Sequence, residues 1–271
     1  MQESQCAVLL TTGPGHARDL AAQAVRNGFN VIIAAGGDGT VNEVANGIIA
    51  EPGGLASAAL GILPMGTVNV LARELGLPLK VRAAWDVIGG GREISIDIGL
   101  AEFGPDAARE RRHFLQLAGA GLDSRAVELV SWKLKKKLGP IAYIIAGWQA
   151  WREPKPVVTV DRDPTASGEL VMIGNGRFYG GSYAFFPRAS LQDGLLDVCV
   201  FPKVAISPMV KTALAIATGR MERLRSVIRR QSAKVTLTSS SRVLLQLDGE
   251  NVGPLPATLS MLPKALRVIV P

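Results

Sequence analysis

Val31-Ile32-Ile33-Ala34-Ala35-Gly36-Gly37-Asp38-Gly39-Thr40-Val41-Asn42-Glu43-Val44 passes from an apolar run through a glycine-rich turn into a segment, continued by Ala45-Asn46-Gly47-Ile48, that reads as a helix. Such a junction is an anion cradle, because backbone N–H groups point outward at the helix start and the dipole favours phosphate. Gly36, Gly37 and Gly39 let the main chain approach a polyphosphate unobstructed, and Asp38 is placed to reach a magnesium ion. A tight turn in which Asp38 only caps the helix fits the spacing equally well. A second loop decides between them. Leu60-Gly61-Ile62-Leu63-Pro64-Met65-Gly66-Thr67-Val68-Asn69-Val70-Leu71-Ala72-Arg73 again runs from an apolar strand into a Gly-Thr turn and a helix, with Val68, Leu71, Ala72 and Leu75 on one face. Two such units in tandem set two loops at the carboxyl edge of one parallel sheet, where open α/β folds bind ligands.

Before these loops, residues 6–10 read as a strand and 15–27 as a helix with Leu20, Ala21, Ala24 and Val25 inward. With 31–35, 60–63, the two loop helices and 81–88, the order is βαβαβα, a parallel sheet with helical crossovers. Gly89-Gly90-Gly91 breaks this pattern and marks a boundary between an α/β nucleotide-binding domain, 1–91, and a β-rich domain, 92–271. In the second part, strands are expected at 93–100, 113–119, 157–161, 170–175, 196–201, 235–238, 243–247 and 266–270. Helical insertions are expected at 124–151 and 208–229. A largely antiparallel β-sandwich is the natural assembly.

The chain has 271 residues, 48% of them hydrophobic, which is enough for a proper core in each of two modest domains. Its two cysteines, Cys6 and Cys199, are far apart, which argues against a zinc site or a disulfide framework and fits a reducing cytoplasm. Nothing at the start reads as a signal peptide, and no apolar run approaches the roughly 20 residues that span a bilayer. A formal charge of +7 favours anionic partners such as ATP, anionic lipid or nucleic acid. Aromatic residues make up only 5% and none interleave with basic runs, so nucleic acid is the weakest of the three.

The two loop sequences, GGDGTVNEVANGI at 36–48 and ILPMGTVNVLAR at 62–73, with Asp248-Gly249-Glu250 near the C-terminus, resemble the diacylglycerol kinase family of lipid kinases. That family includes bacterial lipid kinases and the related sphingosine and ceramide kinases. The resemblance covers nearly the whole chain and implies transfer of the ATP γ-phosphate to a lipid hydroxyl such as that of diacylglycerol. It implies ATP contacts at Thr11, Gly36, Gly37, Asp38, Gly39, Thr40, Val41, Asn42, Glu43, Gly66 and Thr67. It makes Asp248 the general base and Glu250 the neighbour that tunes the site, with Asp38 across the cleft at the metal-phosphate side. From spacing alone, Asp248-Gly249 is simply a hairpin turn. Asp193 resembles the family's magnesium aspartate, with the carbonyls of Ser190 and Leu195 as co-ligands. An Asp-Gly turn is the competing reading, and the ion is either structural or catalytic.

Two departures stand out. Val70 replaces the family's aspartate, and only Met1 to Gln5 precede the first expected strand, where the family has a further strand and an Asn-Pro-x-Ser-Gly-like loop. The second departure implies a bare sheet edge and a poorer kinase. A soluble-substrate kinase of the NAD kinase type, which also uses GGDGT, and an inactive nucleotide- or lipid-binding relative are the alternatives. His16 and His113 receive no catalytic role. Residues 131–138, rich in lysine and followed by Trp148 and Trp151, read either as a contact with an anionic membrane, peripheral on its inner face, or equally well as a solvated helix face beside core tryptophans. A homodimer is compatible with this reading.

Overall fold

The computed structural model describes residues 6–105, 108–129 and 155–271. The first part runs α1 (His16–Arg26), β1 (Val31–Gly36), α2 (Asp38–Ala50), α3 (Gly54–Ser57), β2 (Ala59–Pro64), α4 (Val70–Glu74) and α5 (Val81–Gly90). β1 and β2 are parallel and in register from Val31 opposite Ala59 to Gly36 opposite Pro64. Because the two strands end side by side, both glycine loops leave the same edge of the sheet.

The chain continues through β3 (Arg92–Phe103), β4 (Glu110–Phe114), β5 (Leu117–Gly121), α6 (Leu122–Leu129), β6 (Val158–Val160), β7 (Asp163–Gly168), β8 (Leu170–Gly174), β9 (Phe178–Tyr179) and β10 (Tyr183–Ala184). It ends with β11 (Leu196–Phe201), α7 (Ile206–Ala217), β12 (Ile228–Ser232), β13 (Lys234–Ser239), β14 (Leu244–Leu247), β15 (Glu250–Pro254) and β16 (Ala257–Val270). One sheet has the order β1-β2-β16-β13-β6-β7, with β3 beside β16 and β4 beside β3. The other, β12-β11-β8-β5-β14-β15, is antiparallel throughout. Phe103, Phe114, Val171, Ile173, Val198, Leu237, Leu245 and Leu259 fill the space between them. The result is an α/β domain with a parallel sheet joined to an antiparallel sandwich.

β16 is the member that joins the two. Its start pairs with β13 and its end reaches β2 at Val268 opposite Leu60, while β3 lies antiparallel along its length. Leu266, Val268 and Val270 therefore share a core with Ile32, Ile48, Leu60 and Ile62 of the α/β part. The strand bulges between Leu262 and Leu266. There the buried Asp97 accepts Lys264 N–H at 2.6 Å and Gly194 N–H at 2.7 Å, pinning bulge and loop together.

Several expected elements differ. Residues 6–10 form no strand, and Val8 and Leu10 are more than four-fifths exposed. An apolar β-prone run becomes a strand only where it pairs with a neighbour and buries a face, and here it does neither. The expected strand at 113–119 is two strands, because the intervening amides turn away from the ladder to a carboxylate described below. The expected helix at 208–229 stops at Ala217, where Gly219 takes a φ of 64° and donates its N–H to Ile216 O at 3.1 Å. Of the insertion at 124–151, only the first turns in α6 lie inside the described residues. β7, β12 and β15 escaped the reading, since their side chains are polar or half-exposed and show no apolar alternation.

Asp123, in the first turn of α6, is 8% exposed; Tyr179 Oη donates to one oxygen at 2.9 Å and the other has no hydrogen-bond partner among the described residues. Burial pushes its pKa up to about 6, against the pull of the Tyr179 hydroxyl. The folded state thus holds a proton that the unfolded chain releases at the ordinary carboxylate pKa. Stability from this group is complete below that value and is lost as pH rises through about 6. Comparing denaturation of the protein and of Asp123→Asn, the stability difference should fall by up to about 3 kcal/mol from pH 4 to pH 7. A difference that stays constant or grows over that window contradicts this.

Candidate active site

The two glycine loops are built against each other. Met65 N–H donates to Gly36 O at 2.9 Å, and a Cβ placed on Gly66 would lie 2.4 Å from Gly37 Cα. Asn69, at a left-handed φ of 54°, folds its amide back on Gly66, accepting its N–H at 2.9 Å and donating to its carbonyl at 2.8 Å. Asp38 caps a helix, but not its own. Its Oδ1 accepts Val70 N–H at 2.7 Å and Leu71 N–H at 3.4 Å, at the start of α4. Burial raises the Asp38 pKa, and those amides pull it down. Val70 thus meets Asp38 through its backbone, while its side chain is buried.

With Asp38 turned to α4, the N-terminus of α2 has no side-chain cap. The N–H groups of its first turn are left for an anion, which is what a phosphate cradle requires. Gly39 faces the cleft, Thr40 packs over Gly36, and Val41 is buried in the core. Glu43 lines the cleft, and its carboxylate accepts Gly15 N–H at 2.8 Å and Ala17 N–H at 3.1 Å, capping α1. Thr67 is exposed. Thr11 is exposed on the unpaired segment, whereas Thr12 N and Oγ1 both lie 3.0 Å from His16 Nδ1.

Asp248 occupies the β14–β15 turn, with φ 46° followed by Gly249 at 90°. Two left-handed residues make the turn that Asp-Gly favours, and this turn points the carboxylate back into the protein. Oδ1 accepts Gln116 N–H at 3.0 Å and Leu117 N–H at 2.9 Å. Oδ2 accepts Leu115 N–H and Asn42 Nδ2, both at 2.7 Å. Burial raises its pKa, while the three amides and Asn42 oppose the rise. A carboxylate has about four lone-pair sites, so Asp248 is saturated. Of its donors, only the Asn42 side chain can rotate away without moving the main chain.

A cavity of about 290 Å³ opens beside this pair, between the start of α1, α2, β4 and the β14–β15 hairpin. Glu250 is on its exposed rim. Arg18, Asn46, Arg112 and His113 also line it and were not foreseen. Asn46 binds Asn42 O at 2.9 Å and His113 O at 3.2 Å, locking α2 to β4. Burial holds the His113 imidazole below its usual pKa. The one signal in sequence was Asn46, one helical turn beyond Asn42.

Asp193 is exposed, and its Oδ1 accepts Leu195 N–H at 2.9 Å. Ser190 Oγ accepts Gln192 N–H at 3.3 Å. Asp97 holds the loop from beneath, through Gly194 N–H and by donating its own N–H to Leu191 O at 2.7 Å. Among the described residues, no three His, Cys, Asp or Glu side chains cluster. An ion here would rest on one Asp193 oxygen, the Ser190 and Leu195 carbonyls and water. That oxygen-only set fits magnesium.

Residues 1–101 match the family described as "Diacylglycerol kinase catalytic domain", and 116–270 match "YegS C-terminal NAD kinase beta sandwich-like domain". A curated Staphylococcus epidermidis "Diacylglycerol kinase" is 31% identical over 261 residues, 95% of this chain and 79% of the relative. One from Staphylococcus saprophyticus is also 31% identical over 261 residues, 95% of this chain and 82% of the relative. A solved diacylglycerol kinase structure from Bacillus anthracis superposes with a TM-score of 0.72 at 25% identity, covering 96% of this chain and 84% of that one. A yeast NADH kinase complexed with NADH has a TM-score of 0.53 at 11% identity, over 92% of this chain and 64% of that one, and shares the fold alone.

Gly66→Ala tests the contact between the loops. The added methyl has no room against Gly37 and must part them, destabilising the protein by about 1–3 kcal/mol in chemical denaturation. An unchanged midpoint would mean that the loops are not held in contact.

Proposed function

Since this chain belongs to the diacylglycerol kinase family, we propose that it transfers the γ-phosphate of ATP to a lipid hydroxyl, with diacylglycerol as the acceptor. The observation that carries this reading is the Asp248 carboxylate, which reaches from the β-domain to Asn42 on the helix that begins at the phosphate cradle. The ATP phosphates lie on the first-turn amides of α2 and against the Gly66-Thr67 loop. The acceptor hydroxyl displaces the Asn42 amide from Asp248 Oδ2, gives its proton to that oxygen and attacks the γ-phosphorus in line, as the bond from that phosphorus to the β,γ-bridging oxygen breaks and ADP leaves. A bound magnesium ion would offset charge on the phosphates; Asp38, at the first position of α2, and the Asp193 loop are the two places that would hold one. Glu250 orients the acceptor at the cleft mouth.

No helix among the described residues is long and apolar enough to cross a membrane. In this reading the enzyme takes its acceptor from the bilayer surface. Labelled ATP offered with mixed lipid micelles, or with NAD in their place, tests the acceptor class. Label in lipid supports the proposal, label in NAD points to a soluble-substrate kinase, and label in neither points to an inactive relative.

Asp248→Asn should lower transfer by about 10²–10⁴-fold while ATP affinity holds, because the base serves the acceptor. Wild-type turnover in that variant would leave Asp248 a turn residue only. Asn42→Leu removes a donor that favours the ionised base, so the Asp248 pKa rises further. The acid limb of kcat/KM against pH should therefore move to higher pH. A limb that stays put or moves down would separate Asn42 from the base.

A further inference from the structure

α7 carries apolar side chains on both sides. Its inner side sets Ala215 and Ile216 against the cluster of Phe185, Phe186, Phe201 and Met221. On its outer side Val210 is 61% and Leu214 63% exposed, and Ala213 and Ala217 are exposed with them. These four recur at i, i+3, i+4 and i+7, so they form one continuous stripe. β10 packs beside α7 and adds Tyr183, which is 57% exposed. A helix that is apolar all round is ordinarily one that something covers, and a rimmed apolar patch marks a contact surface.

The rim is basic. Lys203, Lys211, Arg220, Arg223 and Arg225 are all exposed around the helix. From Lys203 to Arg225 the sequence holds a single acid, Glu222, which Arg188 neutralises at 2.7 Å. A two-fold contact between copies of this face would set Lys211 and Arg220 against their own equivalents with no acid to answer them. We propose that the α7–Tyr183 face docks on an anionic lipid surface, with Val210, Leu214 and Tyr183 entering the headgroup boundary and the basic rim meeting lipid phosphates. This extends the lipid kinase reading by naming the face that meets the bilayer, yet docking requires no catalysis.

Sedimentation with vesicles of equal phosphatidylglycerol and phosphatidylcholine, without ATP, tests it on the full chain. The double variant Val210→Ser/Leu214→Ser should bind these vesicles at least tenfold more weakly than the wild type. Lys211→Gln/Arg220→Gln/Arg223→Gln should lose the preference over pure phosphatidylcholine vesicles. Thermal melting and analytical ultracentrifugation accompany both variants. Unchanged sedimentation of the serine variant overturns the proposal. So does a lowered melting point with unchanged binding, which means the chain's own segments cover the face. A wild-type dimer that the serine changes dissociate assigns the face to a second copy and overturns it as well. A protein that binds vesicles through this face but phosphorylates no lipid would sink the kinase reading and leave the docking surface standing.

Discussion

The carboxylate of Asp248 and its four donors are the interaction on which the arrangement depends. To supply three of them, the chain stops pairing between Phe114 and Leu117 and turns the Leu115, Gln116 and Leu117 amides onto one side chain. The fourth donor, Asn42, belongs to α2 and lies across the cleft. A buried carboxylate without such donors would be protonated and held far less firmly. With them it sets the hairpin, the break between β4 and β5, and the distance from the β-domain to the cradle. The same saturation gives the proposed chemistry its condition, because an alcohol reaches Oδ2 only by replacing a donor.

The rest of the frame keeps that contact in place. β16 carries the sandwich into the α/β sheet, so neither sheet is free to slide while its core residues stay buried. Helix N-termini are settled by acids from neighbouring elements, α1 by Glu43 and α4 by Asp38. α2 and α5 both start without a side-chain cap, and of the two only α2 begins at a glycine loop. The site is thus defined as much by where carboxylates are spent as by where glycines are placed.

Much of this was legible in the sequence. Apolar runs followed by Gly-Thr turns gave β1, α2 and β2 and set both loops at one edge, because strand burial and turn chemistry are local. Asp248-Gly249 announced its hairpin for the same reason. What sequence could not reveal was the partner of each polar group. Asp38 accepts from the first amides of α4 rather than capping its own helix, and Glu43, in the cleft, also caps α1. The glycines read as room for phosphate also make room for each other, at Gly37 and Gly66. Residues 6–10 have strand composition but pair with no strand, and β7 and β12 are paired but have little strand composition. Pairing across the chain decided both.

A double-mutant cycle on Asn42 and Asp248 tests whether their hydrogen bond couples the two halves of the site, with the rate of phosphate transfer from labelled ATP to diacylglycerol in mixed micelles as readout. If Asn42 acts through the carboxylate, Asn42→Leu should alter the rate in the wild type and have almost no further effect once Asp248→Asn is present. If the two losses simply multiply, Asn42 serves the nucleotide independently and the shared hydrogen bond is not what couples the two halves of the site.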